Sequence, residues 1–213
     1  MPATVIGGWD KILELSDKYR QLEPALGLHP YFIATHSESA LDELDAYLQR
    51  YASSVVAVGE LGLDATVENL SRQLYFFEGQ LSLASKYQLP VILHSRKTHG
   101  QLAKSIKKYS LVGGVVHAFS GSTQELQYFV SIGMTIGVGS VITWPRSLKT
   151  RKAIQSAPLT SLVLETDAPD MPVVGQVKGT STPLNVLRVF DSLCQIRSES
   201  PEYLASVLWE NSQ

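Results

Sequence analysis

The 213-residue chain has a single cysteine, Cys194, so an intrachain disulfide framework is not available to it. Phe190 and Leu193 accompany Cys194 in a helical pattern, which reads it as an ordinary core residue. No apolar run approaches the roughly 20 residues needed to span a bilayer, and no charged n-region followed by an apolar h-region opens the chain. These absences predict a cytoplasmic protein with no membrane partner and call for no stable protein partner. A dominant charge is also missing: 18 Lys and Arg face 20 Asp and Glu, for a formal charge of −2. That excludes a protein that wraps long duplex DNA by bulk electrostatics, and leaves a small or single-stranded nucleic acid open. Low-complexity and linker-like stretches are absent too. With 44% hydrophobic residues the chain can bury one sizeable core, and residues 1–213 read as one domain.

What is present is an alternation. Short apolar runs at 3–6, 25–28, 55–61, 90–94, 113–119, 135–141 and 162–166 read as strands. Between and after them lie helical patterns near 9–20, 38–51, 69–88, 98–109, 122–132, 147–156, 183–196 and 201–211. In the third of these, Leu70, Leu74, Phe77, Leu81 and Ala84 recur at three- and four-residue steps, one face of a helix. Ser122 followed by Glu125 fits a capping box. Strand–helix alternation with continuous apolar strands means an α/β protein with a parallel sheet covered by helices. Open doubly wound sheets and closed (β/α)8 barrels share that signature. The regular spacing, and polar residues at the ends of many strands rather than at one glycine-rich turn, favour a TIM-type barrel. Seven strands are legible where a closed barrel needs eight.

The stretch "SLVLETDAPD" (161–170) shows what the strands carry: an apolar run, then Glu165 and Asp167, then Pro169. "AVGELGLD" carries Glu60 and Asp64, "VILHSR" His94 and Arg96, and "VVHAFSGS" His117. Any one of these is ordinary; a lone His after a strand is usually a hydrogen-bonded structural residue. Parallel strands of a barrel converge at one mouth, however. Two imidazoles and two carboxylates gathered there would be desolvated and mutually repelling without a cation. Imidazole with carboxylate suits zinc, manganese or another divalent first-row ion.

"GLHP" (27–30), "GELGLD" (59–64), "LPVILHSR" (89–96), "HAFSGS" (117–122) and "LETDAPD" (164–170), in this order, resemble the signature segments of the TatD family of metal-dependent deoxyribonucleases, most closely its YjjV-like branch. The resemblance covers nearly the whole chain. It implies a (β/α)8 barrel with up to two divalent ions (Mg, Mn or Zn), and a DNA or oligonucleotide substrate. By motif, Glu60 resembles the carboxylate that bridges two metals, His94 and His117 the histidines of the second, and Asp167 the aspartate on the first, beside the attacking water. Glu60 and Asp167 are thus the candidate catalytic residues, and His29 lines the mouth on the substrate side. Asp64 and Glu165 read as supports. The family opens with a His-x-His strand, and none of His29, His36, His94, His99 and His117 are two apart. The expectation is a barrel lacking its first β/α unit and its C-terminal end.

The implied reaction is hydrolysis of a phosphodiester by a metal-activated water. Arg96, Lys97, Arg146 and Lys149 follow strand ends and are candidates for phosphate contacts, and Trp144 for base stacking. Two other readings remain: a barrel hydrolase of a small ester or amide, and an inactive remnant, favoured by the missing His-x-His.

Overall fold

The computed structural model describes residues 1–213, which divide into two compact units, Met1–Val115 and Val116–Gln213. In the first unit, β1 (Pro2–Ala3), β2 (Ala25–Leu26), β3 (Ala57–Asp64) and β4 (Val91–Arg96) pair in parallel and in chain order. The chain passes between them through α1 (Trp9–Lys18), α2 (Ala40–Arg50) and α3 (Leu70–Tyr87), and leaves β4 through α4 (His99–Ile106). Parallel pairing needs such crossovers, because the chain must return to the same end of the sheet before each strand. β5 (Gly114–Val116) straddles the division in the chain.

All eight residues of β3 are buried, as expected of a parallel strand covered on both faces. Leu61 and Leu63 of β3 are fully enclosed, as are Phe76, Phe77, Leu81 and Ala84 of α3, and Trp9 of α1. The Trp9 indole still finds an acceptor, the Gly27 carbonyl at 3.2 Å. Gly27 has no room for a side chain: a Cβ there would lie 2.5 Å from the Gly59 carbonyl carbon. That close approach of β2's end to β3 explains the glycine of "GLHP".

The buried face of α3 differs from the expected stripe. Phe77, Leu81 and Ala84 are buried, but Leu70 and Leu74 only partly so, and Gln73 and Gln80 take their place in the core. Both amides are spent on backbone. Gln80 accepts from Leu28 N–H at 2.7 Å and donates to the Leu28 carbonyl at 3.1 Å. Gln73 accepts from Asp64 N–H at 2.8 Å and donates to the carbonyls of Asp64, Val67 and Glu68. Paired in this way, a buried amide is stabilising rather than costly.

In the second unit, α5 (Thr123–Ser131) starts at the expected capping box, Ser122 and Glu125 each satisfying the other's backbone N–H. β6 (Met134–Val138) pairs in parallel with β7 (Leu162–Leu164), the chain crossing between them through α6 (Leu148–Ser156). α7 (Val186–Ile196) and α8 (Pro201–Asn211) complete the unit. Arg197, just past the end of α7, ties that end to α6: its guanidinium donates to the carbonyls of Ile154, Gln155 and Ala157, and pairs with Glu199. No helix is long and apolar enough to cross a membrane.

Candidate metal centre

In the first unit, β3 does not end near Leu61 as the apolar run suggested but continues to Asp64, so Glu60 lies in mid-strand. The Glu60 side chain is 9% exposed, and its Oε1 lies 3.1 Å from both His29 Nε2 and His94 Nδ1. His29 stands just beyond β2, where its own Nδ1 accepts Tyr31 N–H. His94 is in β4, beside β3 in register with Gly62. One ligand atom from each of His29, Glu60 and His94 lies within 4.8 Å of the others. By motif His29 is expected on the substrate side; the structure sets it against the carboxylate that the motif makes a ligand.

Asp64 closes the other side of His94, its Oδ2 being 3.2 Å from Nε2. Its Oδ1 accepts Thr66 N–H at 2.8 Å and the Thr66 hydroxyl at 2.6 Å, which fixes the turn after β3. Burial opposes its charge most, but the Thr66 hydroxyl and N–H, with His94, outweigh it and hold the carboxyl below the usual range. Arg96 and Lys97, at and beyond the end of β4, are exposed.

The second unit has a cluster of the same kind. His117 follows β5 directly, and Glu165 and Asp167 follow β7. His117 Nδ1 is 2.9 Å from Glu165 Oε2, and Nε2 is 3.5 Å from Asp167 Oδ1. Glu165 Oε1 also accepts the N–H of Ala118. That carboxylate occupies the space a side chain would need at Gly137 of β6, where a Cβ would meet Oε2 at 2.8 Å. Arg146 is exposed, with its guanidinium 4.8 Å from the centre of the Trp144 ring. Trp144 donates its indole N–H to the Pro172 carbonyl, so one ring face and its polar edge already have intramolecular partners. Lys149 pairs with Glu125 at 3.3 Å.

Gln73 and Gln80, which hold the backbone beside Asp64 and His29, are singled out by no sequence motif. Their signal is present all the same: seven residues apart, they share the side of α3 that carries Phe77, Leu81 and Ala84.

The donor chemistry fits a divalent cation. Two imidazoles share a buried carboxylate in one cluster, and an imidazole stands between two carboxylates in the other, a mixture suited to first-row divalent ions. Without a cation, a buried carboxylate depends on those imidazoles for compensation.

Comparison with known proteins agrees. A family model described as TatD related DNase matches residues 1–213. The metal-dependent hydrolase YjjV of Escherichia coli K12 is 46% identical over 100% of this chain and 83% of its own length. A metal-dependent hydrolase of Haemophilus influenzae is 43% identical over 88% of this chain and 74% of its own. The 3'-5' ssDNA/RNA exonuclease TatD of Pantoea vagans is 34% identical over 88% and 75%. The crystal structure of Escherichia coli YjjV superposes on the whole chain and 83% of its own with a TM-score of 0.95. The α/β fold of the TIM-barrel type, here with seven strands, is therefore the fold of this chain.

Proposed function

Because the chain belongs to the TatD-related DNases, metal-dependent hydrolases acting on ester bonds, we propose that it cleaves phosphodiester bonds of DNA or oligonucleotides with divalent cations held by Glu60, His94, His117 and Asp167. The observation that carries this reading is the His29–Glu60–His94 donor set. Relatives named as single-strand DNA/RNA exonucleases, 34% identical in the Pantoea vagans case, support the substrate class.

Up to two ions (Mg, Mn or Zn) would be held, and when bound they supply Lewis acidity, favouring deprotonation of water and offsetting charge on the phosphodiester. The chain's own residues do the rest. Glu60, already within reach of two imidazoles, is the shared carboxylate that sets the spacing of the donors. Asp64 and Glu165 hold the rings of His94 and His117 in place, which fixes the direction each ligand nitrogen faces. Asp167, with a side chain 35% exposed, can meet water and accept its proton. Arg96 and Arg146 contact the substrate as exposed cations for phosphate oxygens, and His29, its ring nitrogens engaged by Glu60 and Tyr31 N–H, lines the mouth on the substrate side. Residues 1–213 act as one hydrolase domain in the cytoplasm, with no stable protein partner.

The test is Glu60→Gln, which keeps shape and removes charge. Oligonucleotide cleavage, measured after chelation and return of each divalent ion in turn, falls by at least about a hundredfold, the scale of losing one electrostatic group from an active site. Circular dichroism is unchanged. Undiminished cleavage would remove Glu60 from the mechanism. Hydrolysis of small esters or amides with no nuclease activity in the unaltered chain would move the substrate class, and inactivity towards all of them with every ion would leave a non-catalytic remnant.

A further inference from the structure

Two aromatic rings stand in solvent beside the first cluster. Tyr31 is 59% exposed and Phe32 40%, both on the 3-10 turn Pro30–Thr35 that follows His29. The turn is not a loose loop. Tyr31 N–H donates to His29 Nδ1 at 3.1 Å and Phe32 N–H to the His29 carbonyl at 3.0 Å. Arg72 of α3 donates to the carbonyls of Ile33 and His36, and the Ile33 side chain anchors the turn with 2% exposure. A rigid turn that leaves two aromatic rings in water forgoes the stabilisation that burying them would bring.

Their placement points to a ligand. The ring centres of Tyr31 and Phe32 lie 6.3 and 6.2 Å from that of His29, whose Nε2 reaches Glu60. The two rings are 6.1 Å apart and inclined at 61°. Whatever is bound here spans flat apolar rings and, immediately beside them, a buried group of imidazoles and carboxylate. A nucleotide has that division, a π-face at one end and a phosphodiester at the other. A duplex keeps its base faces covered by stacking, whereas a single strand can offer them. Aromatic side chains accept any base in this way, so the contact needs no sequence preference.

We propose that Tyr31 and Phe32 form a stacking platform for the bases of single-stranded nucleic acid, seating a nucleotide beside the His29–Glu60–His94 cluster. The proposal rests on the hydrolase reading for what the strand is doing there, but not for whether it stacks.

The experiment titrates the full chain, in chelator so that nothing is cleaved, with a fluorescent oligothymidylate, an abasic strand of the same length, and a duplex. The unaltered chain prefers the oligothymidylate to both others. Tyr31→Leu and Phe32→Leu keep apolar bulk without a π-face, and each loses at least about fivefold of that preference, from stacking worth about 1 kcal/mol or more per base. Phe32→Tyr retains it. Equal affinity of the unaltered chain for intact and abasic strands, tight binding of the duplex, or an unchanged preference in both Leu variants would overturn the platform. Hydrolysis of bis(4-nitrophenyl) phosphate with added divalent ion, a diester without a base, reads the hydrolase assignment separately. Its absence in the unaltered chain would count against that assignment while the titration still decides the stacking.

Discussion

His94 in the first unit and His117 in the second each stand between two carboxylates, one facing each ring nitrogen. They differ in how far the carboxylates are withdrawn from water. Around His94 the Glu60 side chain is 9% exposed and Asp64 1%; around His117 Glu165 is 19% exposed and Asp167 35%. Burial makes the first pair part of the structure, since its charges are compensated by fixed partners or not at all. Exposure lets Asp167 serve whatever arrives from solution. The same arrangement therefore carries different obligations, Asp64 chiefly to stability and Asp167 to chemistry.

Removal of the deepest carboxylate, Asp64, and of the shallowest, Asp167, should have opposite consequences. Asp64→Ala strands His94 Nε2 and the Thr66 N–H, and should cost about 3 kcal/mol of unfolding free energy. Asp167→Ala should cost under about 1 kcal/mol while abolishing cleavage. Urea denaturation in chelator measures the first contrast and oligonucleotide cleavage the second; equal stability losses would contradict it.

A smaller effect comes from crowding Glu165 without touching it. Gly137→Ala puts a methyl group 2.8 Å from Oε2, so the carboxylate must shift and His117 with it. The expected cost is about 1–3 kcal/mol, with metal affinity about 10- to 100-fold weaker, the usual effect of disturbing a ligand's support. Gly139→Ala, at 3.2 Å from Oε1, should do less. Denaturation and metal titration of the two variants would show whether position rather than charge is what Glu165 supplies.

The smallest effect separates the clusters from the rest of the first unit. His36 is buried and its Nε2 makes no hydrogen bond. Burial first, then the nearby Arg72 charge, lowers its pKa below the ordinary value, against a weaker pull from Glu43. The native ring is thus neutral where the unfolded one takes up a proton. Stability from this group is complete above about pH 6.5 and is lost as pH falls below it, by at most about 1.4 kcal/mol per unit. In His36→Leu, the decline of stability between about pH 6.5 and 5, followed in chelator, should be shallower than in the unaltered chain.

Much of this was legible in the sequence because the contrasts are local. A capping box such as Ser122–Glu125 announces itself within four residues, and the helix bounds agree closely with their patterns. Glu60 and His94 were conspicuous as polar residues inside apolar runs. Strand extents were harder. The apolar run at 3–6 contributes only Ala3, with Pro2 before it, to the sheet, because apolar character reports burial and not pairing. β3 runs past its apolar run to Asp64, since a buried acid with three hydrogen-bond partners looks, in sequence, like one that has surfaced. His29 against Glu60 was not legible, because the contact joins neighbouring strands rather than neighbouring residues.

The two glutamines of α3 have a consequence for how the gene could vary. Gln73 and Gln80 are seven residues apart, about 10 Å along the axis and nearly two full turns, so both amides leave the helix on one side. One reaches the backbone beside Asp64, the other the backbone beside His29. Insertion or loss of a single residue between them would swing one amide by about 100° and carry it away from its loop. The helix thus acts as a gauge of fixed length: residues between the glutamines can be exchanged for others of their kind, but their number cannot change.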